Sequence, residues 1–126
     1  MNEVLPLELR LRRRSRVLEV SFEDGSRFEL PFEYLRVHSP SAEVQGHGPG
    51  EGTLVVGKEA VGVARIEPVG RYAVRLVFDD GHDSGLFTWK YLYELGRERP
   101  QKWARYLARV AQAGHSRTPA GPGGIS

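Results

Sequence analysis

Leu7, Leu9 and Leu11 alternate with Glu8, Arg10 and Arg12, a period of two that turns one row of side chains toward a core and the other toward water. The alternation returns in Leu18, Val20 and Phe22 beyond an arginine-rich stretch, so a first hairpin is predicted. Asp24-Gly25 signals the next turn, because glycine accepts the positive φ of tight hairpins, and Phe28 and Leu30 alternate with Arg27 and Glu29 in a third strand. Pro31 pre-sets a helical φ; the spacing of Phe32, Leu35 and Arg36 predicts a short helical turn, stopped by Ser39-Pro40.

From Val37 to Gly57 the periodicity fades, and Pro40, Pro49 and five glycines mark a connection longer than a compact domain ordinarily uses. Such stretches are functional or disordered. Val61 to Glu67 reads as a strand, and Pro68-Val69-Gly70 as a turn into a strand carrying Tyr72, Val74, Leu76 and Phe78 on one face. Asp79 to Asp83 is a further turn, followed by a short strand at Leu86 and Phe87. Thr88 is placed to N-cap a helix that carries Trp89, Leu92, Tyr93 and Leu95 and ends at Gly96. Pro100 opens a second helix whose packing face holds Trp103, Leu107 and Val110, with Ala104 and Ala111 beside them. The expected architecture is α+β: an antiparallel β-rich core of about six to seven short strands with two C-terminal helices packed on it. One domain over residues 1–113 and a disordered tail over 114–126 complete the reading.

Composition narrows the chemistry. The chain has 126 residues, enough for one self-supporting core, and it has no cysteine. Disulfides, thiolate catalysis, thiolate-held iron–sulfur clusters and cysteine zinc sites are therefore excluded. No segment approaches the roughly 20 apolar residues of a membrane span, so no membrane association and a cytoplasmic location are expected. Of the basic residues, five stand at Arg10, Arg12, Arg13, Arg14 and Arg16 against only Glu3 and Glu8, and the rest of the chain is close to neutral. A nucleic-acid face would spread its cations and add stacking aromatics, so the arginines read as a solvated hairpin turn.

Several strings resemble catalytic motifs. Gly52 to Lys58 nearly matches a phosphate-binding loop, but Glu59 stands where the magnesium-binding hydroxyl belongs and would repel phosphate. His82-Asp83-Ser84 has the side chains of a hydrolase triad, yet adjacent residues cannot relay from nucleophile to base to acid. Asp79, Asp80 and Asp83 lack calcium-loop spacing and fit turn chemistry. His38, His47 and His82, with Glu43 or Asp80, are the one set able to offer nitrogen and oxygen ligands to a metal. Trp89 and Trp103 read as core anchors.

A longer pattern ties these pieces together: Phe22-Glu23-Asp24-Gly25-Ser26, Leu30-Pro31, Tyr34 to Val37, Ser39 to Val44 with Gly46-His47, Glu67-Pro68-Val69-Gly70 with Tyr72-Ala73, and Asp80-Gly81-His82 with Ser84-Gly85, Trp89 and Tyr91-Leu92. In this order, from about Leu7 to Leu107, the chain resembles the γ-butyrobetaine hydroxylase-like N-terminal domain family. In the hydroxylases that module precedes a separate oxygenase domain, and it is also found appended to nucleotide-binding iron–sulfur carrier proteins. The resemblance implies a zinc knot built from Cys-Pro-Cys-x-x-Cys after a Leu-Arg pair and completed by a distant His. Here Ser39, Ser41 and Val44 fall at the cysteine positions and His82 at the histidine, so that zinc is expected to be absent. The oxygenase ligand pattern is missing as well, and no catalytic residue is assigned. The implied role is a non-enzymatic accessory or interaction domain linked to iron–sulfur protein maturation. Its contact surface would comprise Ser39, Pro40, Ser41, Glu43, Gln45, His47, Asp80 and His82, with a protein partner, iron–sulfur machinery being the candidate. The alternative is a metal- or small-ligand-binding protein using His38, His47 and His82. Either way, His82 is expected to lie against the loop that begins at Ser39.

Overall fold

The structure, a computed structural model, describes residues 4–40, 54–83 and 85–115. Within them the chain runs β1 (Pro6–Arg12), β2 (Val17–Phe22), β3 (Arg27–Pro31), α1 (Phe32–Val37), β4 (Val63–Val69), β5 (Ala73–Phe78), β6 (Gly85–Thr88), α2 (Trp89–Arg97) and α3 (Arg99–Gln112). Strands β1-β2-β3 form one antiparallel meander and β4-β5-β6 a second. The α+β expectation holds: six strands and two C-terminal helices, with α1 as a third, among the described residues.

One core serves both sheets. Leu18, Val20, Phe22 and Leu30 from the first sheet join Val63, Val74, Leu76, Phe78 and Phe87 from the second, with Tyr34 and Leu35 of α1 and Leu92 and Leu95 of α2. Because a strand alternates faces, the polar row of the first sheet points the other way, and there Glu19 is flanked by Arg12 and Arg27. Hydrogen bonds from Arg27 and then Arg12 hold the Glu19 carboxyl below its ordinary range.

The helices dock by shape. Thr88 caps α2 by accepting from the Tyr91 N–H at 3.0 Å, as expected. Gly96, however, does not end that helix; α2 continues through Arg97, and a Cβ at 96 would run into the Phe28 ring. The glycine buys close approach of α2 to β3 instead of termination.

Four other positions depart from the periodic reading. Leu7 is 72 % exposed, because the β1–β2 register shifts between Pro6 and Glu8 and takes this residue out of the alternation. Pro68 belongs to β4, paired with Val74, so the strand runs on to Val69 and Tyr72 falls in the turn, exposed. On α3 the buried positions are Tyr106 and Val110 beside half-buried Trp103, while Leu107 is exposed. Positions 103, 106 and 110 also share a helix face, and Tyr106 wins it because its hydroxyl can donate to the Val55 carbonyl at 2.7 Å.

The arginine turn is not simply solvated. Arg16, at φ 62°, closes the β1–β2 connection through its N–H to the Arg12 carbonyl at 2.8 Å. From that turn, Arg13 donates to the carbonyls of Val63 and Ala64 (3.0 Å to the latter), and Arg16 donates to those of Val61 and Glu59 (3.5 Å to the latter). Carbonyls that no strand pairs need donors, and a guanidinium fork supplies two at once. The expected tail lies, beyond His115, outside the described residues. No helix among the described residues is long and apolar enough to cross a membrane.

Candidate functional site

Helix α1 ends with its backbone turned tightly: the N–H of His38 donates to the Tyr34 carbonyl at 3.2 Å and that of Ser39 to the Arg36 carbonyl at 3.3 Å. This directs Ser39 inward, where it is buried. It meets Gly85 at the start of β6, and a Cβ there would occupy the place of the Ser39 hydroxyl. Across this gap Ser39 Oγ lies 2.9 Å from His82 Nε2.

His82 is delivered by the β5–β6 turn. The turn closes by the Phe78 N–H donating to the His82 carbonyl at 2.9 Å, with Gly81 at φ 95° where a side chain would be strained. Asp79 bonds the backbone of Gly62 in both directions, N–H to carbonyl at 2.9 Å and carboxylate to N–H at 2.9 Å. Asp80 organises the rest: Oδ1 accepts from the His82 backbone N–H at 3.2 Å, while Oδ2 accepts from Lys58 Nζ at 2.6 Å and Arg36 Nε at 3.0 Å. Burial opposes ionisation of this carboxyl, but the bonds from Lys58, the His82 backbone and Arg36 outweigh it and bring its pKa down to about 2. The Arg36 guanidinium also sits 5.9 Å from the Phe78 ring centre, and the His82 ring lies 5.9 Å from the same ring.

Of the residues expected to form the contact surface, Ser39, Asp80 and His82 thus come together, with Pro40 following Ser39, half-buried. Ser41, Glu43, Gln45 and His47 lie outside the described residues. Arg36 and Lys58 belong to the site and were not singled out for it. Arg36 stands in the family-like Leu35-Arg36 pair, a usable signal; Lys58 reads from the sequence only as a phosphate-loop lysine. In the structure Lys58 follows Gly57 at φ 77° and neutralises Asp80, and no helix begins there.

His38 goes elsewhere. Its ring packs 4.7 Å from Tyr34 and 6.4 Å from Tyr106, its Nδ1 is 2.9 Å from the Tyr34 carbonyl, and its own carbonyl accepts from the Tyr91 hydroxyl at 2.7 Å. Burial lowers its pKa, and Lys102, Arg109 and Arg105 add to that. Among the described residues, no group of three or more His, Asp or Glu could hold a metal ion. At the place where the resemblance implies a zinc knot, the described residues offer one imidazole and one neutral hydroxyl bonded to each other, a pair that by itself does not fit zinc.

Two described depressions, of about 370 and 440 Å³, lie around α2: one is lined by Arg27, Phe28, Glu29, Gly96 and Arg99, the other by Lys90, Tyr93, Glu94, Arg97, Glu98 and Gln101. Neither includes Ser39 or His82.

The comparisons with known proteins agree on kinship. The family model described as "Gamma-butyrobetaine hydroxylase-like, N-terminal" matches residues 9–93. Two NMR solution structures are each 49% identical to the chain: one has a TM-score of 0.82 and covers 97% of this chain and 92% of its own, the other 0.80, 99% and 98%. A crystal structure from Acidithiobacillus ferrooxidans, of a protein of unknown function in the DUF971 family, is 47% identical with a TM-score of 0.62, over 72% of this chain and 91% of that one. No curated protein matches. With a tight end to α1, an ordered Asp-Gly-His turn between β5 and β6, and a family model spanning both, the chain belongs to the γ-butyrobetaine hydroxylase-like N-terminal domain family.

Proposed function

We propose that this domain is a non-enzymatic interaction module that docks a protein partner on the surface where the end of α1 meets the β5–β6 turn. The observation that carries the reading is the Asp80 network: one carboxylate fixes the His82 backbone, Arg36 and Lys58 together, so polar groups from three separate segments are held ready at one place. Pre-ordering of this kind reduces what binding must spend on immobilising side chains. The same network argues against catalysis, since the carboxylate oxygens serve the turn and its two cations, and the Ser39 hydroxyl is buried behind the histidine. The family resemblance adds iron–sulfur protein maturation as the setting in which to seek the partner.

The test is photo-crosslinking from a probe at Asp83, next to His82, in the native host, followed by affinity capture with wild type, His82→Ala and Lys58→Glu. A partner that crosslinks to wild type and falls at least about tenfold with either variant supports the surface. An identical partner set and yield from all three proteins sinks it.

A further inference from the structure

Among the described residues, strand β1 is an edge of its sheet, with β2 on one side only. The edge of the other sheet at β4 has carbonyls taken by Arg13 and Arg16, and α2 packs over β3, where Gly96 meets Phe28. On β1 Leu7 is 72 % exposed, with Leu5 just before it at 45 %, and Leu7 is not part of the core among the described residues. Unpaired edges invite another strand, and proteins ordinarily block them with charges that repel a copy.

The charges of β1 do the opposite. We propose that β1 is a self-recognition edge, through which two copies of this chain pair antiparallel about Leu9. The strand covers Pro6–Arg12, so Leu9 is its centre, and full overlap of two antiparallel copies sets Glu8 opposite Arg10 of the second copy and Arg10 opposite its Glu8. Leu9 falls opposite Leu9, and Leu7, taken out of the alternation by the register shift, lies at the end of the ladder near the second copy's Leu11. Pro6, which has no N–H to give, meets Arg12 at the end of the ladder, where a missing bond costs least. Within one chain Glu8 and Arg10 already bond at 2.9 Å, both about half exposed, so they share the outer face and need only exchange partners. Against β2 the register irregularity lies between Pro6 and Glu8, and Glu8 to Arg12 pair without a break. The result is a six-stranded sheet, β3-β2-β1 continued into its mate, that brings the exposed Leu7 up against the second copy.

Sedimentation equilibrium from micromolar to millimolar protein tests this. The mass is expected to rise from 14.1 kDa toward twice that value. Arg10→Glu and Glu8→Arg each place like charges opposite and should weaken association about tenfold or more, and the double exchange Glu8→Arg with Arg10→Glu should restore it. Leu7→Asp, at an exposed position that the single chain does not use, should abolish it while leaving the thermal melt of the dilute protein unchanged. A wild type that stays at 14.1 kDa at millimolar concentration overturns the proposal. So does association that Leu7→Asp leaves intact, or a double exchange that associates no better than the single variants.

Discussion

At the scale of single residues, the contact between Ser39 and His82 depends on what is missing at position 85. Gly85 leaves the space that the serine hydroxyl fills. Gly85→Ala should therefore cost about 1–3 kcal/mol, by the usual penalty for overfilling a packed site. Ser39→Ala alone should cost about 1 kcal/mol, one side-chain hydrogen bond. Combined, the two should be less than additive, because removing the hydroxyl makes room for the new methyl group. Urea unfolding of the four proteins of this cycle measures the coupling, and strict additivity would mean that the two groups do not share the space.

At the scale of elements, the hairpin turn between β1 and β2 works as a donor cluster for the chain some fifty residues on. Arg13→Ala and Arg16→Asn, the latter keeping a residue that tolerates positive φ, should each lower stability by about 1 kcal/mol as part-buried carbonyls lose their donors. The neighbouring exposed Arg14, changed to Ala, should stay within about 0.5 kcal/mol. The expected signature is a shifted denaturation midpoint at constant slope.

These elements show where sequence was sufficient. The alternation in β2 and β3, the Asp24-Gly25 turn and the Thr88 cap could be read directly, because each rests on neighbours within a few residues. The arginine turn, Gly96 and Tyr106 could not, because each is explained by something remote: the carbonyls of Val61 and Val63, the ring of Phe28 and the carbonyl of Val55. In the candidate site, the facing of Ser39 and His82 was legible through the family pattern, whereas Arg36 and Lys58 entered through a carboxylate that local spacing assigns only to a turn.

At the scale of the whole molecule, two groups should make acid unfolding proceed in separable steps. Burial holds His38 neutral, below its ordinary value of 6.5, so its contribution is complete above that pH and is lost as pH falls through the lower folded value. Of the groups facing it, the Tyr34 carbonyl favours the protonated ring, but burial together with Lys102, Arg105 and Arg109 from α3 outweighs it. Asp80 acts later: with its pKa lowered from 3.8 to about 2, it stabilises fully above pH 3.8 and loses that effect as pH falls through about 2. Asp80→Asn should cost about 2 kcal/mol near neutrality, with the difference from wild type vanishing toward pH 2. His38→Phe should remove the earlier step and leave the later one. Thermal melts recorded from pH 7 to pH 2 distinguish the two.

The connection over residues 41–53 joins two places that the fold secures independently of it. On one side Ser39 is tied to His82; on the other Tyr106 bonds the Val55 carbonyl and Arg16 those of Glu59 and Val61. Each tether reaches a different part of the domain, so the distance between the two ends does not depend on the residues that bridge them. For such a bridge, doubling its length costs only about 0.6 kcal/mol of closure entropy. A segment tethered at both ends in this way can therefore change in sequence and length while the scaffold on either side keeps its shape. Change in this segment is cheap for folding, whatever its sequence comes to do.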